Sequence, residues 1–320
     1  MESLFLSKKP SHKLPLSAQI ELFIQQLLNG LTIGMVYALI ALGYTMVYGV
    51  IQLINFAHGD IFMVGAFLAL TMIGWSTLLW PSAPFLAVLL LVILFSMIFS
   101  GFLGAAVEKI AYKPLRRSPR LTALITSIGV SFFLQNAVML IYGSKEQHIP
   151  EIIPTARFQL GTLSFSLIQL IIFATSVTLM LFLAWFVKNT RLGKAMRASA
   201  ENMEAAYLVG ISVNQVIRTT FVLGSVLAAV GGSLFGMYYG SINFHDGYLA
   251  GLKAFTAAVL GGIGSIPGAM MGGIVLGIVE GLGAGYIASE WKDVFAFLIL
   301  GVVLIFRPSG IFGENLPEKV

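Results

Sequence analysis

Apolar runs of bilayer-spanning length dominate this chain. Residues 86–107, 121–142, 163–187 and 216–239 are each mostly apolar over the roughly 20 residues that an α-helix needs to cross a hydrocarbon core. Residues 61–80 and 294–306 are shorter or interrupted versions of the same pattern. Two stretches are too long for one ordinary span. Residues 20–54 read as two short spans or one long, broken one. Residues 255–287 are interrupted by Gly261-Gly262-Ile263-Gly264-Ser265-Ile266-Pro267-Gly268. The expected fold class is an all-α polytopic membrane protein with about eight to ten membrane segments, some broken or re-entrant.

Composition removes the main competing classes. Charged residues make up 10% of the chain, against about 25% in soluble domains, so water cannot be the main solvent. The chain has no cysteine, which excludes disulfides, thiolate metal sites and cysteine nucleophiles. Its histidines, at 12, 58, 148 and 245, are scattered without metal-ligand spacing, and no Ser/His/Asp grouping is evident. An enzyme is therefore not expected, and no bound cofactor or metal is implied.

Charge distribution suggests how the chain sits in a membrane. One basic cluster is Lys109, Lys113, Arg116, Arg117 and Arg120; another is Lys188, Arg191, Lys194 and Arg197. Both lie between long apolar runs and no aromatic stacking pattern accompanies them, so membrane topology explains them better than a nucleic-acid partner. The loop between them, 143–162, balances Lys145 and Arg157 with Glu146 and Glu151, and the loops near Asp246 and Glu290 carry one Lys each. The positive-inside rule places the two basic loops in the cytoplasm and the other three outside. One transmembrane domain over 20–307 is expected between tails at 1–19 and 308–320. Both tails read as cytoplasmic, the N-terminal one if 20–54 crosses twice. A polar cytoplasmic loop spans 188–215.

Three local features invite function. The breaks at Asn55-Phe56-Ala57-His58-Gly59-Asp60 and at 261–268 both precede Gly-containing apolar helix, and paired broken segments in a transporter often mark a solute path. Asn55, His58, Gly59, Gly261, Gly262, Gly264 and Ser265 are the path candidates at these breaks; a plain cytoplasmic turn is the alternative at one of them. Freed backbone groups there need partners, and a polar solute in transit can be one. Gly273, Gly277, Gly281 and Gly285 recur every four residues and read as a smooth helix-packing face. Glu280 sits in that helix with no evident partner in sequence, which marks it as a functional candidate in the path or a pair with another subunit.

The third feature is polar. Residues 191–218 are amphipathic, with Asn202 placed to cap a short helix and Gly210 to end it. Leu208 and Val209 would be exposed near its end. Such a helix can dock in a groove on a partner or lie on lipid headgroups. Glu204-Ala205-Ala206-x-x-x-Gly210 resembles the EAA-x3-G signature of membrane subunits of ATP-binding-cassette importers. The resemblance implies a coupling helix seated on an ATPase subunit, with Glu201, Glu204, Ala205, Ala206 and Gly210 as the coupling residues. The Ile and Pro usual about ten residues after the Gly are absent.

Residues 29–49, 54–60, 254–268 and 306–313 resemble the high-affinity branched-chain amino-acid permeases. The likeness runs through nearly the whole chain from about residue 20. It implies a transmembrane subunit that forms a heterodimer with a second, homologous permease. It also implies two ATP-binding subunits, which hold ATP and Mg, and a periplasmic or lipid-anchored substrate-binding protein. The chain lacks a G-x4-G-K-[S/T] phosphate loop, in keeping with power supplied by a partner. A permease for urea or short-chain amides shares the pattern. An ion-coupled secondary transporter using Glu280 is a rival of another class.

Overall fold

The structure is a computed structural model that describes residues 16–312 except 117, 155, 161, 162 and 308. The tail residues before 16 and after 312, and Arg117 of the first basic cluster, lie outside the described residues.

In chain order the helices are α1 (Leu16–Ile51), α2 (His58–Leu79), α3 (Phe85–Val107), α4 (Arg120–Tyr142), α5 (Leu167–Asn189), α6 (Arg191–Glu201) and α7 (Met203–Leu208). Then follow α8 (Val213–Tyr239), α9 (Asp246–Gly261), α10 (Ile266–Tyr286) and α11 (Lys292–Phe306). Four short strands, β1 (Gln147–His148), β2 (Arg157–Leu160), β3 (Leu163–Ser166) and β4 (Ser241–Ile242), pair as β1 with β4 and β2 with β3, both antiparallel. Among these elements α1, α2, α3, α4, α5, α8 and α10 are long and apolar enough to cross a bilayer. The shorter α9 and α11, with 16 and 15 residues, are mostly apolar as well. The fold is all-α and polytopic, and seven long helices plus two short ones fall within the expected number of segments.

Three sequence expectations need correction. Residues 20–54 form neither two spans nor a broken one: α1 is a single helix of 36 residues, about 54 Å long. Its glycines do not break it because they are used for packing. The run at 163–187 starts late, since 163–166 is strand β3 and Ser166 opens α5 with a reciprocal cap to Gln169. Lys253, assigned to an outer loop, lies on α9 and is buried.

α1 runs through the middle of the bundle, against α2, α5, α8, α9 and α10. Its widest contact is with α10, and the four-residue glycine spacing explains it. A methyl at Gly273 would strike Ala38, one at Gly277 would strike Gly34, and one at Gly281 would strike Gly30. The two backbones therefore lie close enough for dispersion along the whole seam, which substitutes for the hydrophobic drive that lipid removes. α3, α4 and α5 are peripheral and expose Phe102, Phe133, Leu140 and Phe182. Those side chains need no cover if hydrocarbon surrounds them.

The elements divide between two faces. One face gathers the start of α1 and the β2–β3 hairpin, joined by Gln25 Nε2 donating to the Ser164 carbonyl at 3.2 Å, together with the β1–β4 pair. The other gathers the end of α1, where Gly49 approaches Gly264, and the end of α9, where the Ile311 and Phe312 N–H groups donate to the Leu260 and Gly261 carbonyls. It also holds the α3–α8 junction, where Arg116 donates to Asn214.

Candidate functional site

The chain turns sharply after α1. Gln52 takes a positive φ of 53°, residues 53–57 run back along the bundle, and α2 begins at His58. His58 packs at Gly43, about 12 Å back from the Ile51 end of α1. This discontinuity is thus inside the bundle rather than a surface turn. The side chains of Asn55 and His58 find partners within the bundle, as buried polar groups in a bilayer require. Asn55 Oδ1 accepts from Tyr112 Oη at 2.8 Å. His58 Nε2 lies 3.2 Å from the Ile40 carbonyl, which selects the tautomer with hydrogen on Nε2. The Tyr44 ring meets the imidazole edge-on at 4.8 Å. Asp60 is fully buried and accepts from Gln135 Nε2 at 3.0 Å.

A second discontinuity mirrors this one, and it is not the segment expected. Ile242-Asn243-Phe244 repeats Ile54-Asn55-Phe56. In each copy the Asn carbonyl accepts from the N–H three residues on, at 3.1 Å, and that residue, His58 or Asp246, starts a helix. α1–α2 and α8–α9 are therefore two copies of one helix–turn–helix unit, entered from opposite faces. The sequence echo assigned to 261–268 belongs to 242–247, and the Ile-Asn-Phe triplet was the signal available to find it.

The break at 261–265 has a different construction. Gly262 and Gly264 take positive φ values of 101° and 98°, and Ser265 Oγ caps α10 by accepting from the Gly268 N–H at 3.1 Å. The Leu260 and Gly261 carbonyls are met by residues 311 and 312, so these two acceptors are satisfied without a solute. Gly264 shares a small cleft with Arg197 and Ala200 of α6 and with the end of α1. Ile54, next to Asn55, and Ile263, between Gly262 and Gly264, nevertheless line one small cavity between the two breaks. Phe255 on α9 lines the same cavity, its ring 6.2 Å from the Phe56 ring.

Glu280 lies apart from both breaks and has the partners that the sequence did not reveal. Lys253 Nζ lies 2.8 Å from Glu280 Oε1 and 2.6 Å from Asp293 Oδ1, the second contact being an ion pair without an aligned hydrogen bond. Tyr37 Oη donates to Glu280 Oε2 at 2.9 Å. The Lys253 and Glu280 side chains are only 6% and 3% exposed, whereas Asp293 is 38% exposed. Asp293 forms part of the wall of a cleft of about 210 Å³, with Glu146, Tyr239, Ser241, Asp246 and Lys292. Charges this deeply buried persist only when paired, and here α1, α9, α10 and α11 each contribute a member.

The amphipathic segment forms two short helices. Thr190 Oγ1 caps α6 and Asn202 Oδ1 caps α7, accepting from the Gly193 and Ala205 N–H groups at 3.0 and 2.9 Å. Gly210, with φ of 86°, ends α7 in the left-handed conformation, and the Gly210 and Ile211 N–H groups donate back to Tyr207 and Ala206. Ala206 is buried against the bundle. Glu201, Glu204 and Ala205 are exposed, and Tyr207, Leu208 and Val209 form an apolar tip that is 73%, 84% and 76% exposed.

A family profile described as "Branched-chain amino acid transport system / permease component" matches residues 26–304. The chain belongs to this permease family. It is similar to the high-affinity branched-chain amino acid transport system permease protein BraD of Pseudomonas aeruginosa, at 49% identity over 93% of this chain and 98% of that protein. It is similar to LivH of Escherichia coli K12, a permease of the same description, at 44% identity over 95% of this chain and all of that protein. A probable branched-chain amino acid transport permease of Methanocaldococcus jannaschii is 28% identical over 87% of this chain and 88% of its own length. The permease family is one of transport, not catalysis. The glycine seam of α1 with α10, both turns at 52–58 and 240–246, the charged cluster and α6–α7 all lie within the matched residues.

Proposed function

We propose that this permease is the membrane-spanning subunit of an importer that carries leucine, isoleucine and valine across the bacterial inner membrane, driven by ATP hydrolysed on partner subunits. The observation that carries this reading is the tip of α7. Tyr207, Leu208 and Val209 project from a helix capped at both ends, so a rigid apolar knob faces outward with nothing among the described residues to cover it. A groove on an ATPase subunit is a fitting cover. Glu201, Glu204 and Ala205 flank the knob as polar contacts; Ala206 and Gly210 fix its angle. Two ATPase subunits would bind ATP and Mg and press on this helix and on its counterpart in a second, homologous permease.

The internal order supports a mechanism. α6 and α7 connect α5 to α8, and α8 belongs to one of the two helix–turn–helix units. A push on α7 reaches α8 first and then the place where the units meet. Gly264 and Ile266, on either side of Ser265, share a cleft with α6, so the break beside Gly261 and Gly262 moves with it. Apolar walls such as Tyr44, Phe56 and Phe255 suit branched aliphatic side chains, while Asn55, His58 and Gly59 form the hinge beside them. A periplasmic or lipid-anchored binding protein would deliver solute at the face bearing the charged cleft. Glu280 has both oxygens engaged by Lys253 and Tyr37, which argues against an ion-coupling carboxylate.

Orientation follows from the basic loops. With 108–120 and 188–215 in the cytoplasm, the face bearing the β2–β3 hairpin is periplasmic, and the start of α1 shares that face. The N-terminal side of α1 is then periplasmic and the end of α11 cytoplasmic. This replaces the cytoplasmic N-terminus, which depended on two crossings by 20–54.

The test is reconstitution with the second permease, the ATPases and the binding protein. ATP-dependent uptake of labelled leucine, with none of labelled urea, is expected. Uptake by this chain in vesicles without nucleotide overturns the reading.

A further inference from the structure

Five basic residues in the loop after α3 satisfy a topology rule, but topology does not explain their arrangement. α3 continues through a π-turn at Glu108–Tyr112 and a 3-10 turn at Lys113–Leu115. Lys109, Lys113 and Arg116 follow one another at spacings of four and three, so they share one face. Together with Asn214 and Arg218 at the start of α8 they line a cleft of about 330 Å³. Arg116 is held there by Glu108 and by Asn214, and its Nε–H is buried without an acceptor. Lys109, Lys113 and Arg218 make no ion pair among the described residues. Glu108 is the one carboxylate in the lining, against four cations.

The cleft sits where apolar surface gives way to polar surface. Ile110, one residue from Lys109, is 75% exposed; Phe102, earlier on α3, and Leu121, at the start of α4, are 73% and 66% exposed. Side chains of that kind belong in hydrocarbon, so the cations adjoining them lie at headgroup depth. The ATPase contact proposed above is elsewhere, at the apolar tip of α7. We propose that this cleft binds the phosphate of an anionic phospholipid, with Lys109, Lys113 and Arg218 as point charges and the Arg116 guanidinium as the fixed donor. Asn214 lies four residues beyond Gly210, so the bound phosphate braces the joint between α7 and α8. Lipid charge then sets how firmly a push on α7 reaches α8.

The test uses the assembled importer, purified in a detergent from membranes containing phosphatidylglycerol. Bound lipid is measured by mass spectrometry after detergent exchange. The variant K109Q/K113Q/R218Q keeps the Arg116 clasp and is expected to lose phosphatidylglycerol roughly tenfold or more, because each neutralised cation weakens anionic-lipid binding several-fold. The control K188Q/R191Q/K194Q removes as many cations from the other basic loop and should retain it. A readout on the unaltered complex stands beside these: its unfolding temperature should rise with added phosphatidylglycerol and not with phosphatidylcholine. Equal loss from both variants, loss from neither, or no thermal response overturns the proposal. Replacement of the lipid by millimolar inorganic phosphate overturns it in favour of a free anion. Loss of ATPase from the first variant with lipid retained overturns it in favour of a protein contact.

Discussion

Gly59 and Gly247 occupy the same place in two copies of one turn, each the second residue of its helix, and they pack backbone against backbone. A methyl on Gly59 would run into the Gly247 carbonyl and Gly251; one on Gly247 would run into the Gly59 carbonyl and the Asp60 backbone. The two helix–turn–helix units therefore meet through their hinges, at a point where no side chain fits.

That contact predicts the cost of filling it. Gly59→Leu and Gly247→Leu should each destabilise the permease by at least about 1–3 kcal/mol, because the obstruction on both sides is backbone. Gly74→Ala and Gly129→Ala face open space, and should be within about 1 kcal/mol of the unaltered chain. Thermal unfolding followed by fluorescence-detected size exclusion checks all four. A stable, monodisperse Gly59→Leu protein would mean that the hinges do not pack as described.

The buried ion pair gives a second test. Lys253→Met leaves Glu280 buried beside Tyr37 without its cation, and should cost about 3–5 kcal/mol. The double variant Lys253→Met/Glu280→Met removes both charges and should recover much of that loss, since a packed apolar pair avoids the desolvation of two ions. Unfolding temperatures of the two variants measure this. If the double variant is no more stable than the single one, Lys253 and Glu280 are not coupled.

How much of this was legible beforehand depended on what each segment is solvated by. The runs at 86–107, 121–142 and 216–239 matched α3, α4 and α8 to within a few residues, since a helix facing lipid or the bundle core must be apolar along its length. The packing role of Gly273, Gly277, Gly281 and Gly285 was readable because it is periodic. α1 was not, because glycines that let neighbours approach look the same in sequence as glycines that break a helix. Lys253 read as a loop residue because its partners Glu280 and Asp293 are distant in sequence, and only folding brings them within 3 Å. For α6 and α7 the caps at Asn202 and Gly210 were visible from residue type and spacing.

The α7 knob predicts a separation of insertion from assembly. Leu208→Asp places a carboxylate in the surface that a partner must cover, and Glu204→Lys reverses an exposed charge beside it. Gly210→Leu imposes a side chain on a residue with φ of 86°, so α7 should end differently and tilt the knob. Each should lower ATPase co-purification about tenfold or more while the permease inserts and purifies normally. Co-purification at the unaltered yield in all three would remove α7 from the interface.

Sidedness can be read directly, because the chain contains no cysteine and any introduced thiol is the sole target. Gln19→Cys, near the start of α1, should react with a membrane-impermeant maleimide added outside intact spheroplasts. Lys145→Cys, in the loop after α4, should react in the same way. Tyr207→Cys should react only after the membrane is opened, and it should be shielded when the ATPase is bound. The positions are tied to each other by structure: α1 begins beside Ser164, and one crossing by α1 forces residues 19 and 207 to opposite faces. Labelling of Gln19→Cys and Tyr207→Cys from the same side would contradict either the single crossing of α1 or the placement of α6 and α7 at its far end. The reversed pattern, with Tyr207→Cys labelled from outside, would instead leave the fold intact and overturn the cytoplasmic assignment on which the coupling mechanism rests.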